Sequence, residues 1–319
     1  MVGNVNSAGS APVDLVVGSG GLLGGAVYRE LRRRGLPVAE AKVPWHDEGQ
    51  AEAAVVAAVQ ALAARSSRAR IWWCAGAGVT STTAQELAAE ERVLAGFVAA
   101  LAALAPNFAV TVFYASSAGG VYAGAEDPPF TELTIPKPLS EYGAAKLRAE
   151  AAVKSLVAGG ARVAIARVAN LYGPGQDLRK AQGVISQLCL ASQLRRPLNI
   201  YVSLDTLRDY IYIDDAARRC VDFTEVVDQG APGAVTKIIA TGRSVSVGAV
   251  IGEANRIFRK KVPVVLASSP MRRQQARDLR LRSVVLTELD RVPLNTLAAG
   301  MNEVRRSIEA RVRAGEHWA

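Results

Sequence analysis

A tyrosine and a lysine four residues apart, Tyr142 and Lys146, have the types and spacing that suit proton transfer. On a helix, positions i and i+4 lie on one face, so the spacing predicts neighbouring phenol and ammonium groups. An ammonium group stabilises a nearby phenolate and lowers the phenol's pKa from its usual value of about 10. Such a tyrosine can exchange a proton with an alcohol or a carbonyl while a nicotinamide takes or gives a hydride. The alternative interpretation is a pair of surface residues on an amphipathic helix.

Three glycines near the start of the chain, Gly18, Gly21 and Gly24, follow a G-x-x-G-x-x-G spacing. They come directly after a short apolar run, residues 13–17, and Leu22 begins a helical pattern. Small residues let the backbone turn tightly and let a pyrophosphate approach the helix N-terminus, where free N–H groups favour anions. The spacing therefore predicts a dinucleotide site, with a tight turn that binds nothing as the alternative.

The elements that must position these residues alternate between strand and helix through the first half of the chain. The predicted strands are apolar throughout, as strands covered on both faces must be. This pattern predicts an α/β fold with a doubly wound parallel (Rossmann) sheet and a smaller, mostly C-terminal substrate-binding lobe. We expect a flexible tail over 1–12, a nucleotide-binding domain over 13–168 with about 205–242, and a lobe over about 169–204 with 243–319.

Composition excludes several classes of protein. The 319 residues are 50% hydrophobic and 21% charged, unlike a disordered chain or a small disulfide scaffold. Two histidines and three widely spaced cysteines predict no metal site and, with no signal peptide, a reducing cytoplasm. The net charge of +9 comes from scattered arginines, which fits an anionic small molecule or solvated helix faces better than nucleic acid. No apolar run reaches the ~18 residues of a membrane helix, so no membrane partner is expected.

Six segments occur in an order and spacing that are typical of one family. They are VVGSGGLLGG (16–25), YASSAGGVY (114–122), EYGAAK (141–146), RVANLYGPGQ (167–176), RDYIYIDDAARRC (208–220) and SVSVGAVI (244–251). The set resembles the extended short-chain dehydrogenases/reductases, in particular the nucleotide-sugar epimerase/dehydratase group. The resemblance covers about residues 13–311 and is more specific for the family than for the reaction.

The resemblance implies a role for each residue that matches a family motif. Tyr142 is then the general acid/base, and Lys146 binds the nicotinamide ribose and tunes the tyrosine. The backbone at Ala75 and Gly76, at the end of the WWCAG strand, passes the cofactor. The implied cofactor-binding set is Gly18, Gly21, Leu22, Gly24, Lys42, Ala75, Gly76, Tyr142 and Lys146.

The resemblance also implies residues that contact a nucleotide-sugar substrate. Asn170 resembles the asparagine at the diphosphate, and Arg208 resembles the arginine that pairs with the nucleotide part, because a forked cation suits phosphate oxygens. Arg272 or Arg273 is the expected second phosphate arginine. The structural alternatives are a loop cap for Asn170 and a salt bridge to Asp209 or Asp214 for Arg208.

The chain departs from the family pattern at the usual catalytic Ser or Thr, four residues before the tyrosine of the V-Y pair. Ala118 stands there instead, so we assign the hydroxyl role, both catalytic and substrate-binding, to Ser117 rather than to the more distant Ser116. Gly119 and Gly120 replace the Asp-Glu pair of the 4,6-dehydratases, which argues against water elimination.

A second departure concerns the acidic residue that holds the adenosine ribose at the end of the second strand. Lys42 occupies the matching position and could meet a 2′-phosphate, so the sequence favours NADP over NAD. Glu40 is the alternative ribose ligand if the register differs by two residues. The short distance to WWCAG also predicts that one strand-helix unit is missing or merged before it.

The function expected from these residues is NAD(P)-dependent oxidation or reduction of a nucleotide-sugar, as a 4-epimerase or a 4-keto reductase. A reductase of a small non-nucleotide ketone is less consistent with Asn170 and Arg208. A non-catalytic NAD(P)-binding sensor or scaffold would fit Ala118 but has no need of the Tyr-Lys pair. A homodimer is expected, because helices over about 82–104 and 140–158 often pair across a two-fold axis in this family.

Overall fold

Strands and helices alternate along the residues that the computed structural model describes, 12–76, 78, 82–104, 107–180, 182–267 and 276–316. The strands are β1 (Val13–Val17), β2 (Val38–Ala41), β3 (Arg68–Trp73), β4 (Ala109–Ser117), β5 (Arg162–Val168), β6 (Asn170–Tyr172), β7 (Leu198–Ile200), β8 (Leu207–Tyr212), β9 (Gly233–Ile239), β10 (Ser244–Ser246), β11 (Val264–Leu266) and β12 (Asp278–Leu279). The helices are α1 (Leu22–Arg33), α2 (Glu48–Ala63), α3 (Ala84–Leu104), α4 (Ala118–Val121), α5 (Glu141–Lys154), α6 (Val184–Leu194), α7 (Ile213–Gln229), α8 (Val247–Phe258) and α9 (Leu297–Arg313).

Six of the strands form a parallel sheet in the order β2-β1-β3-β4-β5-β9. The chain runs outward from β1 to β2 and then returns across β1 to β3, so the strand order reverses at β1. A ligand crevice forms outside the carboxyl ends of parallel strands at such a reversal. Among the described residues, β2 alone lies on the outer side of β1, where the classic dinucleotide-binding sheet has two strands. The described sheet therefore has one strand fewer at this edge, in line with the strand-helix unit that the sequence suggested to be missing or merged.

Both faces of the sheet are covered, which confirms the doubly wound architecture. Apolar residues of one face pack against α1 and α7, and those of the other face pack against α2, α3 and α5. Every residue of β5 after Arg162 is buried, as its continuous apolar sequence predicts. The one buried charge of β1, Asp14, accepts two hydrogen bonds from the Arg70 guanidinium and one from the Trp72 indole, at 2.7 to 2.8 Å.

The smaller lobe contains a second sheet, in which β8 pairs with β6, β10 and β12, and a separate parallel pair, β7 with β11. Residues 207–212 therefore hydrogen-bond within the lobe, whereas the predicted division placed them with the nucleotide-binding domain. The chain rejoins the main sheet through α7 and β9. The domain boundaries stay a prediction, with β8 as the strand that leads from the lobe to α7.

Further sequence predictions concern the N-terminal tail, a membrane helix, a metal site and a dimer. The predicted tail, 1–12, lies outside them apart from Pro12. Within them, no helix combines the length and apolarity that a membrane crossing needs, and no cluster of His, Cys, Asp and Glu suits a metal ion. The two helices predicted to pair in a dimer are present as α3 and α5, and the dimer stays a prediction.

Candidate active site

The loop between β1 and α1 brings the first glycines against the end of β3. Gly18 has φ +91°, and a Cβ there would lie 2.7 Å from the Ala75 amide nitrogen. A Cβ on Gly24 would lie 2.1 Å from the Gly18 carbonyl oxygen. Since real Cβ atoms do not approach so closely, glycine is required at both positions for this arrangement. The spacing seen in the sequence therefore reflects a tight contact between the β1–α1 loop and the chain after β3.

No side chain of the N-cap or of the first turn of α1 competes with a ligand for the backbone amides at this end of the helix. Its N-cap is Gly21, which has no side chain to accept from the first-turn amides, and no acidic residue stands in that turn. The helical ladder begins with the Gly25 amide donating to the Gly21 carbonyl, so the amides of Leu22 and Leu23 precede it. Together with the helix dipole, these donors suit the two charges of a pyrophosphate. The cradle thus fits the dinucleotide that the sequence predicted.

At the ribose end of this cradle the structure places a carboxylate beside the predicted lysine. In the parallel register of β1 and β2, Glu40 lies opposite Val16 and Ala41 opposite Val17. The Ser19 hydroxyl donates a hydrogen bond to Glu40 Oε2 at 2.9 Å, so the glutamate reaches the glycine loop. Lys42 is exposed just beyond the end of β2. The alternative left open by the sequence, Glu40, is therefore the residue whose head group contacts the loop.

Beyond the glycine loop, the chain after β3 passes the predicted catalytic pair. Gly76 has φ +134°, and the position of a Cβ there is 3.4 Å from both Lys146 Nζ and Glu90 Oε2. A pocket opens over this segment, with walls that include Ala75, Gly76, Leu87, Glu90, Tyr142 and Lys146. Ala75 and Gly76 thus connect the glycine loop to the Tyr-Lys pair, and their contact with the cofactor stays a prediction.

Helix α5 sets the spacing of Tyr142 and Lys146. Its N-cap, Ser140, accepts a hydrogen bond from the Gly143 amide at 3.3 Å, which starts the helix just before the tyrosine. Lys146 Nζ lies 5.7 Å from the Tyr142 ring centroid. The same ammonium donates to the Tyr114 hydroxyl and to the Ala115 carbonyl, both at 3.4 Å. The lysine is therefore held against the end of β4 while Tyr142 faces the pocket.

Electrostatics keep Lys146 charged. Burial lowers the pKa of its ammonium group, but Tyr114, Tyr142 and Glu90 outweigh burial, and the net pKa is raised. Burial raises the pKa of the Tyr114 phenol, so this hydroxyl stays neutral near pH 7. Tyr114 and Glu90 were not identified from the sequence. Tyr114 could have been found because it precedes Ser116 by two residues on β4 and so shares its face.

Ser117 caps α4 beside Tyr142. Its hydroxyl accepts a hydrogen bond from the Gly120 amide at 3.1 Å, and a Cβ on Gly120 would lie 3.0 Å from the Tyr142 ring. Ala118, at the family's usual Ser or Thr position, is fully buried. The Ser116 hydroxyl donates to Glu150 at 2.6 Å. Ser117 is therefore the half-buried hydroxyl left at this end of β4, and its predicted role stays a prediction.

A buried ion pair supports the ends of β4 and β5 behind the site. Arg167 donates to both Glu150 oxygens, at 3.0 and 2.7 Å, and to the Tyr122 hydroxyl at 2.7 Å. The same Glu150 accepts from Ser116. Because Glu150 belongs to α5, this network ties the helix that carries Tyr142 to the strand that carries Ser117. This ion-pair network was not predicted from the sequence.

The predicted substrate residues lie on paired strands of the small sheet. Asn170 of β6 donates from Nδ2 to the Asp209 carbonyl of β8 at 3.0 Å. Arg208 of β8 donates to the Leu207 carbonyl at 2.8 Å, and burial lowers its pKa. Among the described residues, no carboxylate lies within ion-pair distance of Arg208. A poorly compensated cation of this kind is suited to an incoming anion.

The salt-bridge alternatives for Arg208 do not form. The Asp209 carboxylate instead accepts from the Thr241 amide and hydroxyl, both at 2.9 Å, and from the Arg243 amide at 3.1 Å. The Asp214 carboxylate lies 3.7 Å from the guanidinium of Arg29, not of Arg208. The remaining predicted arginines, Arg272 and Arg273, lie outside the described residues.

Sequence comparison agrees with this geometry. A model of the NAD dependent epimerase/dehydratase family matches residues 15–238, which include the glycine loop and the Tyr-Lys pair. The chain belongs to this family. The chain is similar to the dTDP-4-dehydro-6-deoxyglucose reductase of Escherichia coli, 35% identical over 106 residues, and to the dTDP-L-rhamnose 4-epimerase of Burkholderia thailandensis, 29% identical over 143 residues. The matches span 33% and 41% of this chain and only 33% and 39% of those two proteins.

The fold of this epimerase/dehydratase family member also matches solved structures over nearly its whole length. MoeE5 in complex with UDP-glucuronic acid and NAD has a TM-score of 0.77 and 23% identity, over 95% of this chain and 99% of that one. At this identity the match concerns the fold. It confirms the Rossmann-like architecture that the sequence predicted.

The contact at Gly24 predicts a loss of cofactor binding in Gly24→Ala. The new methyl group would meet the Gly18 carbonyl at 2.1 Å, so the cradle must deform. We expect the dissociation constant for NAD(H) to rise at least about tenfold, or roughly 1.4 kcal/mol, measured by calorimetric titration. Gly252→Ala on α8, where a Cβ meets nothing within 4 Å, is the control and should bind like the wild type. Unchanged affinity in Gly24→Ala would contradict the proposed cradle.

Proposed function

We propose that this protein is an NAD-dependent enzyme that oxidises or reduces one carbon of a nucleotide-sugar, as a 4-epimerase or a 4-keto reductase. The observation that carries the proposal is the placement of Tyr142 at the pocket with the charged Lys146 behind it. The glycine cradle lies on the same crevice, joined to the pair through Ala75 and Gly76. A binding protein without chemistry has no use for a phenol supported in this way.

The chain's own residues supply the proton chemistry. NAD, when bound, supplies the hydride acceptor and its reduced form the donor. Tyr142 takes the proton from the sugar hydroxyl during oxidation and returns one to the keto oxygen during reduction, at its phenolic oxygen. Lys146 stabilises the phenolate because its positive charge persists in the half-buried site. We assign the Ser117 hydroxyl, the N-cap of α4, a hydrogen bond to the same sugar oxygen.

A diphosphate-linked substrate is supported by the small sheet. Arg208 offers a guanidinium without a carboxylate partner among the described residues, and Asn170 lies on the neighbouring strand. A neutral ketone would leave this cation unused. The two sequence relatives have names that specify dTDP-linked sugars, and MoeE5 holds UDP-linked sugars in its complexes. We therefore propose a nucleoside-diphosphate sugar, with water elimination disfavoured by Gly119 and Gly120.

NAD rather than NADP is the proposed cofactor, although the sequence alone favoured NADP. The Glu40 carboxylate, held to the loop by Ser19, can accept hydrogen bonds from the ribose hydroxyls. A 2′-phosphate in the same place would face a like charge, whereas Lys42 lies beyond the end of β2 and, among the described residues, makes no hydrogen bond to the glycine loop. A bound NAD that is reduced and reoxidised in one turnover would favour the epimerase.

Tyr142→Phe tests the proposed function. The ring remains, but the proton-transfer oxygen is lost, so kcat with UDP- and dTDP-hexoses should fall by at least about a hundredfold. Cofactor affinity, measured by the thermal midpoint with NAD, should change little. Tyr28→Phe on α1 makes the same chemical change away from the pocket and should retain full activity. Turnover that survives Tyr142→Phe would show that another residue is the acid, and turnover absent from the wild type would favour a sensor.

Glu40→Gln and Lys42→Gln test the cofactor proposal. A charge-assisted hydrogen bond contributes roughly 1.5–3 kcal/mol, so Glu40→Gln should weaken NAD by about tenfold or more and narrow its advantage over NADP. Lys42→Gln should leave NAD affinity nearly unchanged. Dissociation constants for both cofactors with each variant decide the matter. A wild type that prefers NADP, and loses that preference only in Lys42→Gln, would restore the lysine as the phosphate ligand.

A further inference from the structure

We propose, on the basis of the proposed function, that Glu90 is a positioning residue, whose carboxylate holds the segment after β3 and the Lys146 ammonium in the geometry that proton transfer at Tyr142 requires. Glu90 lies on α3, outside every motif that identified the site. Its role is to act through Lys146 and the backbone, without touching the substrate.

Glu90 contacts the backbone that follows β3. Glu90 Oε1 accepts a hydrogen bond from the Gly78 amide at 3.0 Å. A Cβ on Gly78 would lie 3.4 Å from Glu90 Oε2 and 3.4 Å from a Tyr142 ring carbon. The carboxylate therefore holds Gly78 at a point where even a Cβ atom would reach the tyrosine ring.

Two groups of opposite charge, Glu90 and Lys146, lie close to Gly76. Glu90 Oε2 and Lys146 Nζ each lie 3.4 Å from the position of a Cβ on that glycine. Among the described residues, no carboxylate lies within 4.0 Å of Lys146, so Glu90 acts on it through space. In a half-buried site water screens such an interaction weakly. Gly76, which has no side chain, lies between the two charged groups.

The groups that face Lys146 come from β4, α3, the chain after β3 and its own helix α5. Tyr114 and Ala115 contact it from β4, Tyr142 lies on its own helix, Glu90 lies on α3, and the Cys74 thiol follows β3. Burial raises the pKa of Cys74 to about 12, and Tyr114 is neutral as well. Of these groups, Glu90 carries the carboxylate, and its interaction with the ammonium is among those that raise the pKa of Lys146.

Glu90→Gln separates this role from simple loop anchoring. The glutamine oxygen can still accept from the Gly78 amide, so the segment stays in place while the charge is lost. The control is Glu86→Gln, one turn earlier on α3, where Glu86 accepts from the Thr83 amide at 3.0 Å and is exposed. Glutamine preserves such a capping box, so the control removes the same charge without altering the helix start. Equal thermal midpoints for the three proteins would establish that each is folded.

The experiment measures Lys146 directly and without substrate. Each protein is labelled with acetic anhydride across a pH series, and mass spectrometry of the Lys146 peptide gives the midpoint at which the neutral amine becomes reactive. We expect the midpoint to fall by on the order of one pH unit in Glu90→Gln and to stay unchanged in Glu86→Gln. The alkaline limb of the kcat/KM profile should move to lower pH by a similar amount, because Lys146 loses its proton earlier.

The two readouts keep this inference distinct from the proposed function. If Glu90→Gln shifts neither the labelling midpoint nor the pH profile, Glu90 is only a loop anchor and the inference is wrong, even though the enzyme turns over. If the wild type turns over no nucleotide-sugar, the proposed function fails, and the labelling midpoint still decides whether Glu90 acts on Lys146. A shift of equal size in Glu86→Gln would also overturn the inference, because it would reflect general charge rather than this contact.

Discussion

The site depends on the contact between the glycine loop and the chain that leaves β3. A Cβ on Gly18 would lie 2.7 Å from the Ala75 amide nitrogen, and a Cβ on Gly24 would lie 2.1 Å from the Gly18 carbonyl oxygen. No other residue type permits both approaches. Because β1 and β3 are adjacent in the sheet, the contact sets the anion cradle beside the segment that passes Lys146. One steric constraint therefore joins the pyrophosphate end of the crevice to its reactive end.

Hydrogen bonds and ion pairs of charged side chains position the remaining parts of the site. Lys146 is held by Tyr114 and Ala115 of β4, and Glu90 faces it across Gly76. Behind it, Arg167 and Glu150 tie α5 to the ends of β4 and β5. Since the groups around Tyr142 come from α3, β4 and β5 as well as from its own helix α5, the parallel sheet is the element that brings the chemistry together.

The sequence predicted those parts of the site that depend on local spacing. The glycine motif and the Tyr-Lys pair need only one loop and one helix, and in the structure the segment after β3 links the two. The choice between Glu40 and Lys42 was beyond the sequence, because it depends on the β1–β2 register and on the reach of a side chain to Ser19. Glu90 was missed because a glutamate on a helix carries no signal until the loop that it bonds is placed. The assignment of β8 to the small sheet likewise depends on long-range pairing.

The most direct test of the account is the absorbance of reduced nicotinamide in the near ultraviolet, followed in a stopped-flow instrument. The wild-type protein, loaded with NAD, is mixed with UDP- or dTDP-hexoses, and in parallel the protein with NADH is mixed with 4-keto nucleotide-sugars. The account predicts a transient rise in the first case or a decay in the second, and neither with free sugars or nucleotides alone. If NAD is bound but no nucleotide-sugar changes the absorbance, the crevice does not perform hydride exchange, and the central claim is wrong.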